Sequence, residues 1–518
     1  MKKLLNWLDT NLIKILTLGY IFVIPLYPKL PVSMVNYTYI AIRVEDFYVA
    51  ALVGIFIVQL LRRKIKLQTR LLIPFVIFWV AVSISYLWGF YVQKTIIINH
   101  LGLLHALRRI EYMSAFFIFA SSIQSKKNFL SYFRVVIAAL LTVSLYGVGQ
   151  KFLGWPAVQT MNPEYAKGYI LILDANARIS STFGGHYDLA AYLVFLLPLV
   201  LAAWIYFKNK WVYFLIFTLS LFCLILTASR VSYGAYIVST MLFLIFARKW
   251  KMLLIVALVT GGLTLTSGTL TNRLTRTFQQ KQIFIDKRTG QTTVPRKLNP
   301  NELPVGDYVI NKTSTENGAT DVNSLSLQSK DAKQAIDQIR EDIRARARQD
   351  GRTLTQKQEE QLLQETLRNL KVVTTMLPDI SFATRLQVEW PRAIKAFIKY
   401  PILGKGPSAI TEATDNDFLR WLGEFGLFGT LSFLAILFLM AKELFLAIRS
   451  SQKDENILLL AVLFSMFGLL INATYIDVFE ASKVAYQFWM IMGLFIGFTQ
   501  LKKLPIAVSK PPIRPKKK

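Results

Sequence analysis

Arginines and proton-accepting side chains recur in four short segments that border long apolar runs, at residues 177–188, 227–230, 385–392 and 415–429. Arginine forks match phosphate oxygens bidentately, and a carboxylate or an imidazole can accept a proton from a hydroxyl group. The candidate side chains of these two kinds are Arg178, His186, Asp188, Arg230, Arg385, Glu389, Arg392, Asp415 and Asp417, and Asn416 is a further candidate for substrate binding. This combination suits binding of a diphosphate and transfer of the group attached to it, with no metal or other cofactor expected.

Each segment also has a purely structural interpretation. Arg178 and Arg230 could anchor helix ends at lipid headgroups, and Arg385 with Glu389 could form a surface pair four residues apart on a helix. Either Asp415 or the aspartate two residues later could cap the helix that follows. Taken singly, the structural interpretations are favoured. Taken together, the four segments favour one anion-binding region.

The elements that position these residues are apolar helices. The chain has 518 residues, of which 53% are hydrophobic and 18% charged, whereas soluble domains carry roughly 25% charged residues. Its apolar runs are each long enough to cross about 30 Å of hydrocarbon. The twelve candidate spans are residues 12–28, 39–61, 71–91, 106–123, 129–150, 189–207, 211–227, 231–247, 252–270, 418–441, 456–474 and 484–500.

The predicted fold class is therefore an all-α polytopic integral membrane protein of about 12 transmembrane helices. A soluble enzyme, a disordered chain and a secreted disulfide scaffold are excluded, the last because Cys223 is the single cysteine. We expect four regions: a membrane region of nine helices at 1–270, a large extracytoplasmic loop at 271–417, a second membrane region at 418–501, and a basic cytoplasmic tail at 502–518.

The net charge of +29 reflects topology and does not indicate a nucleic-acid partner. Its basic clusters recur in alternate short loops, as the positive-inside rule requires, so both termini are predicted to be cytoplasmic. Within the outer loop, residues 286–376 form an insertion. Residues 282–310 have the pattern of short strands and turns, a small β element, and 330–376 the pattern of two polar helices broken near Asp350.

Two charged groups fall inside predicted spans, at residues 43–46 and 108–111. Charges within spans are costly and mark functional candidates. Pairing of Arg43 with Glu111 and of Asp46 with Arg108 is favoured over contact with a substrate, because unlike charges at similar depth should pair.

The ordered motifs resemble the O-antigen ligase and O-antigen polymerase superfamily of bacterial membrane glycosyltransferases. The resemblance is strongest over Thr384–Gly429, with its Arg…Trp helix, its Pro-Ile-Leu-Gly-x-Gly turn and its Asn-x-Phe-Leu…Glu-Phe-Gly-Leu-x-Gly span. Weaker matches are Arg178 with Thr182-Phe183, and Ser229-Arg230. The insertion has no counterpart in the resemblance.

The resemblance implies transfer of a glycan from an undecaprenyl-pyrophosphate-linked donor to a hydroxyl of a glycan or lipid acceptor, on the outer face of the bacterial inner membrane. In the family's ligases, arginines matching Arg178 and Arg385 hold the pyrophosphate, and a histidine before an asparagine acts on the acceptor. Here that position is Asp415, followed by Asn416. A carboxylate can also accept a proton, so a ligase and a polymerase both stay open.

Two alternatives of other classes are a transporter, such as a flippase for the same lipid carrier, and a relative without activity whose insertion binds a partner. A transporter should place polar residues near the bilayer midplane and interrupt its helices there. The charges of this chain crowd the predicted outer interface instead, which favours a transferase.

Overall fold

The fold is taken from a computed structural model of the chain. It describes residues 2–36, 38, 41–160, 165–174, 177–275, 278–286, 292–293, 319–321, 337, 339–341, 343–345, 347–348, 354–368, 370–378, 384–410 and 414–501. The described residues form two compact units, one of residues 1–273 with 392–518 and one of residues 274–391. The expected basic tail at 502–518 lies outside the described residues.

The first unit is a helical bundle with two small hairpins. Its helices are α1 (Lys2–Leu26), α2 (Val44–Leu61), α3 (Leu72–Leu87, continued by a π-helical turn to Val92), α4 (Asn99–Ser122), α5 (Lys126–Phe152), α6 (His186–Tyr206), α7 (Lys210–Leu226), α8 (Arg230–Phe246), α9 (Trp250–Thr266) and α10 (Gly268–Thr275, which ends just inside the other unit). The hairpins are β1 (Pro31–Met34) with β2 (Ala41–Arg43), and β3 (Ala157–Val158) with β4 (Ile170–Leu171).

Each of the twelve apolar runs coincides with a helix. Seven described helices are long and apolar enough to cross a membrane, and four shorter apolar ones are Asn11–Leu26, α7, α8 and α9. The twelfth, α4, carries the charged group of residues 108–111 within a mainly apolar helix. The mostly helical membrane fold is therefore confirmed, and the count of about twelve spans stays a prediction.

The centre of the bundle is built around α6 and around α15 (Ser482–Leu501), the last helix of the described residues, and these are the two most buried of the long apolar helices. The last helix packs closely on α4 through Gly493 and Gly497. A Cβ atom there would lie 2.4 Å from the Phe116 carbonyl oxygen and 2.6 Å from that of Ala120. Two small residues four apart let helix backbones approach closely in a membrane, so α4 is held inside the bundle despite its charges.

The second unit contains a four-stranded sheet in the order β6-β5-β8-β7. Its strands are β5 (Phe278–Asp286), β6 (Thr292–Thr293), β7 (Ala319–Asp321) and β8 (Leu370–Pro378), and β5 pairs antiparallel with β8 along its whole length. Helix α11 (Gln356–Arg368) precedes β8. Residues 287–291 and 294–310 of the predicted strand-and-turn segment, and the predicted break near Asp350, lie outside the described residues.

The strand β8 corrects one prediction. Helix was expected up to Met376, and residues 370–376 are instead extended. The segment includes Val372, Val373, Thr374 and Thr375, whose branched Cβ atoms favour strands over helices. Its partner β5 is more than eighty residues away in the sequence, so the pairing could not be read from local periodicity.

A glycine interlock joins two of the motifs in the first unit. Helix α13 (Asp417–Ser450) is kinked at Gly426, whose φ is 62° and ψ is −162°. The turn after α12 (Trp390–Lys399) fits against this kink. The Leu427 and Phe428 N–H groups donate to the carbonyls of Pro401 (2.8 Å) and Ile402 (3.1 Å). The carbonyl groups of the turn therefore accept hydrogen bonds from two N–H groups that, in an uninterrupted helix, would bond to carbonyls of the same helix.

The same turn also donates backbone hydrogen bonds to α13. The N–H groups of Lys405 and Gly406 donate to the carbonyls of Gly423 (2.8 Å) and Glu424 (2.9 Å). Gly404, with φ of 70°, has no room for a side chain, because a Cβ atom would lie 2.3 Å from the Glu424 carbonyl carbon. The Pro-Ile-Leu-Gly-x-Gly and Glu-Phe-Gly-Leu motifs therefore pack against each other and share backbone hydrogen bonds.

Helix α14 (Lys453–Ala473) lies between α13 and α15 in the sequence.

We predict that Gly426→Ala lowers the thermal unfolding midpoint of the detergent-purified protein strongly. The new Cβ would lie 2.4 Å from the Ile402 carbonyl, and the backbone conformation strains any side chain, at a cost of about 3 kcal/mol or more. Gly54→Ala is the matched control, since its helix position in α2 is open and alanine there should stabilise by about 0.5–1 kcal/mol. Equal midpoints for the two variants would contradict the interlock.

Candidate functional site

A cavity of about 240 Å³ lies within the first unit, where α2, α6, α13 and α15 begin. Its wall is strongly charged. The basic side chains that line it are Lys29, Arg43, Arg108 and Arg420, and the acidic ones are Asp188, Asp415, Asp477 and Glu480. The remaining lining includes His105, Tyr112, Thr160, Tyr187 and Ser482. A cavity with both basic groups and carboxylates can bind an anion beside a proton acceptor.

Asp415 lies in a loop that Asp477 holds in place. Asp415 has a φ of 51°, the left-handed region that non-glycine residues seldom adopt. On either side of it, the N–H of Thr414 donates to Asp477 Oδ2 (2.8 Å) and the N–H of Asn416 donates to Asp477 Oδ1 (3.0 Å). The Arg420 Nη1 also donates to Asp477, at 2.9 Å. One carboxylate therefore fixes the backbone on both sides of Asp415.

Asn416 caps α13, which corrects the expectation that Asp415 or Asp417 does so. Its side-chain oxygen accepts from the Leu419 N–H at 3.0 Å, and its Nδ2 donates to the Thr474 carbonyl at 2.9 Å. Asp417 turns inward instead, and its Oδ2 accepts from the N–H groups of Val478 (2.7 Å) and Phe479 (3.2 Å). Both side chains thus tie the start of α13 to the connection between α14 and α15.

Two buried arginines complete this joint. Arg420 pairs with Glu424 at 3.4 Å and with Asp477 at 2.9 Å. Arg109 on α4 pairs with Glu424 at 2.8 Å and with Glu480 at 2.5 Å. Arg420 and Glu424 are almost fully removed from solvent, and charges there are tolerated only when they are paired. The network joins α4, α13 and the connection before α15.

The predicted pairs across α2 and α4 do not form among the described residues, which corrects that expectation. Asp46 accepts from the backbone N–H of Arg43 at 2.8 Å, and Glu111 accepts from the Tyr486 hydroxyl at 2.6 Å. Arg108 donates to the Ala41 carbonyl at 3.3 Å. Each acidic group has a nearer donor, so Arg43 and Arg108 instead line the cavity.

The segment 177–188 reaches the cavity through its last residues. Tyr187 and Asp188 line it, and the buried His186 ring lies 4.1 Å from the Tyr187 ring, centroid to centroid. The Arg178 guanidinium lies over the Tyr187 ring, 5.6 Å from the ring centroid. Arg178 is therefore one side chain away from the cavity, with its Nη1 buried and lacking a hydrogen-bond partner among the described residues.

The remaining candidates lie on separate elements. Arg230 is the first residue of α8, and two residues later Ser232 donates to Asn472 at the end of α14 (3.1 Å). Arg392 is half-buried in α12. Arg385, which is buried, and Glu389 lie in a π-helical turn of the second unit. The expected meeting of Arg178, Arg230 and Arg385 at one diphosphate stays a prediction.

Sequence reasoning missed Lys29, Asp477 and Glu480 as site residues. Asp477 and Glu480 are the two acidic residues of the short connection 474–481, on the side where the positive-inside rule leaves few basic residues. A pair of carboxylates in a connection of this length was a usable signal. Lys29 carried a weaker one, as the single basic residue of the connection 29–38.

We predict that Asp477→Asn destabilises the protein by about 1–3 kcal/mol. An asparagine has one acceptor oxygen where the carboxylate has two, and it has no negative charge to pair with Arg420. The measurement is the thermal midpoint in detergent. Asp454→Asn, an exposed aspartate at the start of α14, is the matched control and should change the midpoint little. Equal shifts in the two variants would show that Asp477 does not hold the loop.

One comparison with known proteins bears on this site. Residues 215–434 match the family model described as O-antigen ligase, and no curated protein matches the chain. The matched range runs from α7 into the kinked helix α13, and it includes Arg230, Arg385, Asp415 and the glycine interlock. The match covers part of the chain, and together with the ordered motifs it supports a relationship of that part to the O-antigen ligase superfamily.

Proposed function

We propose that the chain is a glycosyltransferase of the bacterial inner membrane that moves a glycan from an undecaprenyl-pyrophosphate carrier to an acceptor hydroxyl. The observation that carries the proposal is the cavity that holds Asp415 beside basic side chains, in a chain with an O-antigen ligase match. The connections that line the cavity, such as 29–38 and 474–481, are those that the loop charges place outside the cytoplasm. The active site would therefore face outward.

In this mechanism Asp415 accepts the proton of the acceptor hydroxyl as the hydroxyl oxygen attacks the anomeric carbon of the donor glycan. The bond from that carbon to the pyrophosphate oxygen breaks, and undecaprenyl pyrophosphate leaves with the bonding pair. Fixed cations stabilise the charge that develops on the leaving group, so the reaction needs no metal. The loop geometry that Asp477 imposes would keep Asp415 oriented before substrate binds.

Arg178 and Arg385 are assigned to the pyrophosphate, and Arg230, Arg392, His186, Asp188, Glu389 and Asn416 to substrate binding. The buried Nη1 of Arg178 supports the first assignment, since it keeps a donor available next to the cavity. Among the secondary candidates, Asp188 is the one that shares the cavity wall with Asp415.

Product analysis after reconstitution with an undecaprenyl-pyrophosphate oligosaccharide distinguishes the remaining alternatives. A longer lipid-linked chain identifies a polymerase, and a conjugate to another acceptor identifies a ligase. Movement of the carrier across the bilayer without any new glycosidic bond would identify a transporter and overturn the proposal.

We predict that Asp415→Asn lowers the transfer rate by about 100-fold or more, because an amide cannot accept the hydroxyl proton. Asp415→His should retain part of the activity, since imidazole is also a base. The control is Asp454→Asn at the exposed start of α14. Wild-type rates in Asp415→Asn would assign the proton acceptor to another residue.

We predict that Arg178→Ala and Arg385→Ala each abolish measurable transfer while the protein still inserts and folds, because each removes a charge that stabilises the leaving pyrophosphate, a loss of about 100-fold or more. Arg449→Ala is the matched control, an exposed arginine near the end of α13. Transfer rates are measured with the reconstituted donor. Full activity in both variants would remove these arginines from the donor site.

A further inference from the structure

The basic and acidic residues of the cavity come from different parts of the chain. The connection between α1 and α2 supplies Lys29 and Arg43, and α4 supplies Arg108. The carboxylates come from the start of α6, the loop before α13 and the connection before α15. Arg420, the remaining cation, is committed to Glu424 and Asp477. Three cations thus form one group that the ion-pair network does not include.

This group has more donors than the protein uses. Arg43 is 6% exposed, and its Nε is buried with no hydrogen-bond partner among the described residues. Arg108 donates to a neutral carbonyl, that of Ala41. Lys29, 5% exposed, pairs with Glu45 at 2.7 Å. Of the three cations, Lys29 has a carboxylate partner, Glu45. The buried Arg43 guanidinium keeps an N–H donor that a ligand could use.

The group is held rigidly by its surroundings. The backbone N–H of Arg43 is bonded to Asp46 at the start of α2, which fixes the residue from which the guanidinium extends. Lys29 is bonded to Glu45 and also to Ser482. Behind it, the buried ammonium of Lys483 donates to the carbonyls of Pro25 (3.1 Å), Tyr27 (2.6 Å) and Thr182 (2.7 Å). Because these donors are already fixed in position, binding of an anion does not include the entropy cost of ordering them.

The electrostatics also favour an added anion. Burial lowers the pKa of Lys29 below its ordinary value, because the ammonium loses solvent there and the neighbouring Arg43 repels it. An anion placed between them would return the stabilisation that the charges lost with their water. The ends of α2, α6 and α15 that face the cavity are N-terminal ends, whose partial positive charge acts in the same direction.

We propose that Lys29, Arg43 and Arg108 form a phosphate-binding subsite on one wall of this cavity. It is separate from the arginines assigned above to the donor pyrophosphate. Two arginines and a lysine from three positions match the charge and the several oxygens of a phosphate better than those of a single carboxylate. The phosphate is either part of the lipid carrier or a substituent of the acceptor. Its use in glycan transfer rests on the proposed function, and its binding of phosphate does not.

The test is calorimetric titration of the full-length protein in a non-ionic detergent at low salt, with inorganic pyrophosphate as the probe. We expect saturable binding to the wild-type protein. Arg43→Gln and Arg108→Gln should each weaken it at least about tenfold, as expected for loss of one charge-assisted contact. Arg43→Lys should weaken it less, and Arg449→Gln, which alters an exposed arginine on α13, should leave it unchanged.

Three further probes identify the source of the phosphate: undecaprenyl phosphate, glucose 1-phosphate and, as the uncharged control, glucose. Preference for the lipid phosphate assigns the subsite to the carrier, and preference for the sugar phosphate assigns it to the acceptor. The proposal is overturned if the wild-type protein binds none of the phosphates, or if both glutamine variants bind them as the wild type does. If Arg43→Gln fails to fold, Arg43→Lys and Arg108→Gln decide the question.

The outcome is separable from that of the transfer assay. Binding that depends on Arg43 and Arg108, without any transferase activity, would leave the subsite standing and remove the proposed function. Transfer that depends on Asp415, with unchanged pyrophosphate binding in the glutamine variants, would support the proposed function and overturn the subsite.

Discussion

The cavity depends on the buried pairing of Arg109 and Arg420 with Glu424, Asp477 and Glu480. Moving such charges out of water costs several kcal/mol per ion, and only close opposite charges and hydrogen bonds offset that cost. Loss of Glu424, which pairs with both arginines, would weaken the compensation of two buried guanidinium charges at once. The pairing therefore specifies one arrangement of α4, α13 and the connection before α15, and the cavity is the space that this arrangement leaves.

Two adjacent arginines of α4 have different roles, one in the ion-pair network and one in the cavity wall. Arg109 faces the ion network and lies 4.5 Å from the Phe425 ring centroid, whereas Arg108 lines the cavity and contacts the Ala41 carbonyl. Successive residues on a helix point about 100° apart, so one short charged group can serve both purposes. This explains how α4 stays in the bundle with charges that would be costly against lipid.

The family-like motifs of α12 and α13 contribute to architecture as much as to chemistry. Gly404 and Gly426 allow the turn 401–406 to exchange backbone hydrogen bonds with the kinked helix. The kink lies six residues after Arg420 and two after Glu424, so it sets the direction in which the remaining helix leaves the ion network. A glycine requirement of this kind leaves a short sequence signature, which is why the resemblance could be read there.

Apolar run lengths by themselves determined where the helices lie, because a chain in hydrocarbon must satisfy its backbone hydrogen bonds within each span. The sequence also located the segments that reach the cavity at Asp188 and Asp415. Only the tertiary structure decided that Asp477 grips the loop of Asp415, that Arg43 and Arg108 face a cavity rather than Glu111 and Asp46, and that residues 370–378 pair with β5. Those contacts join segments tens to hundreds of residues apart, and their formation depends on how helices and strands pack, which local spacing and periodicity do not encode.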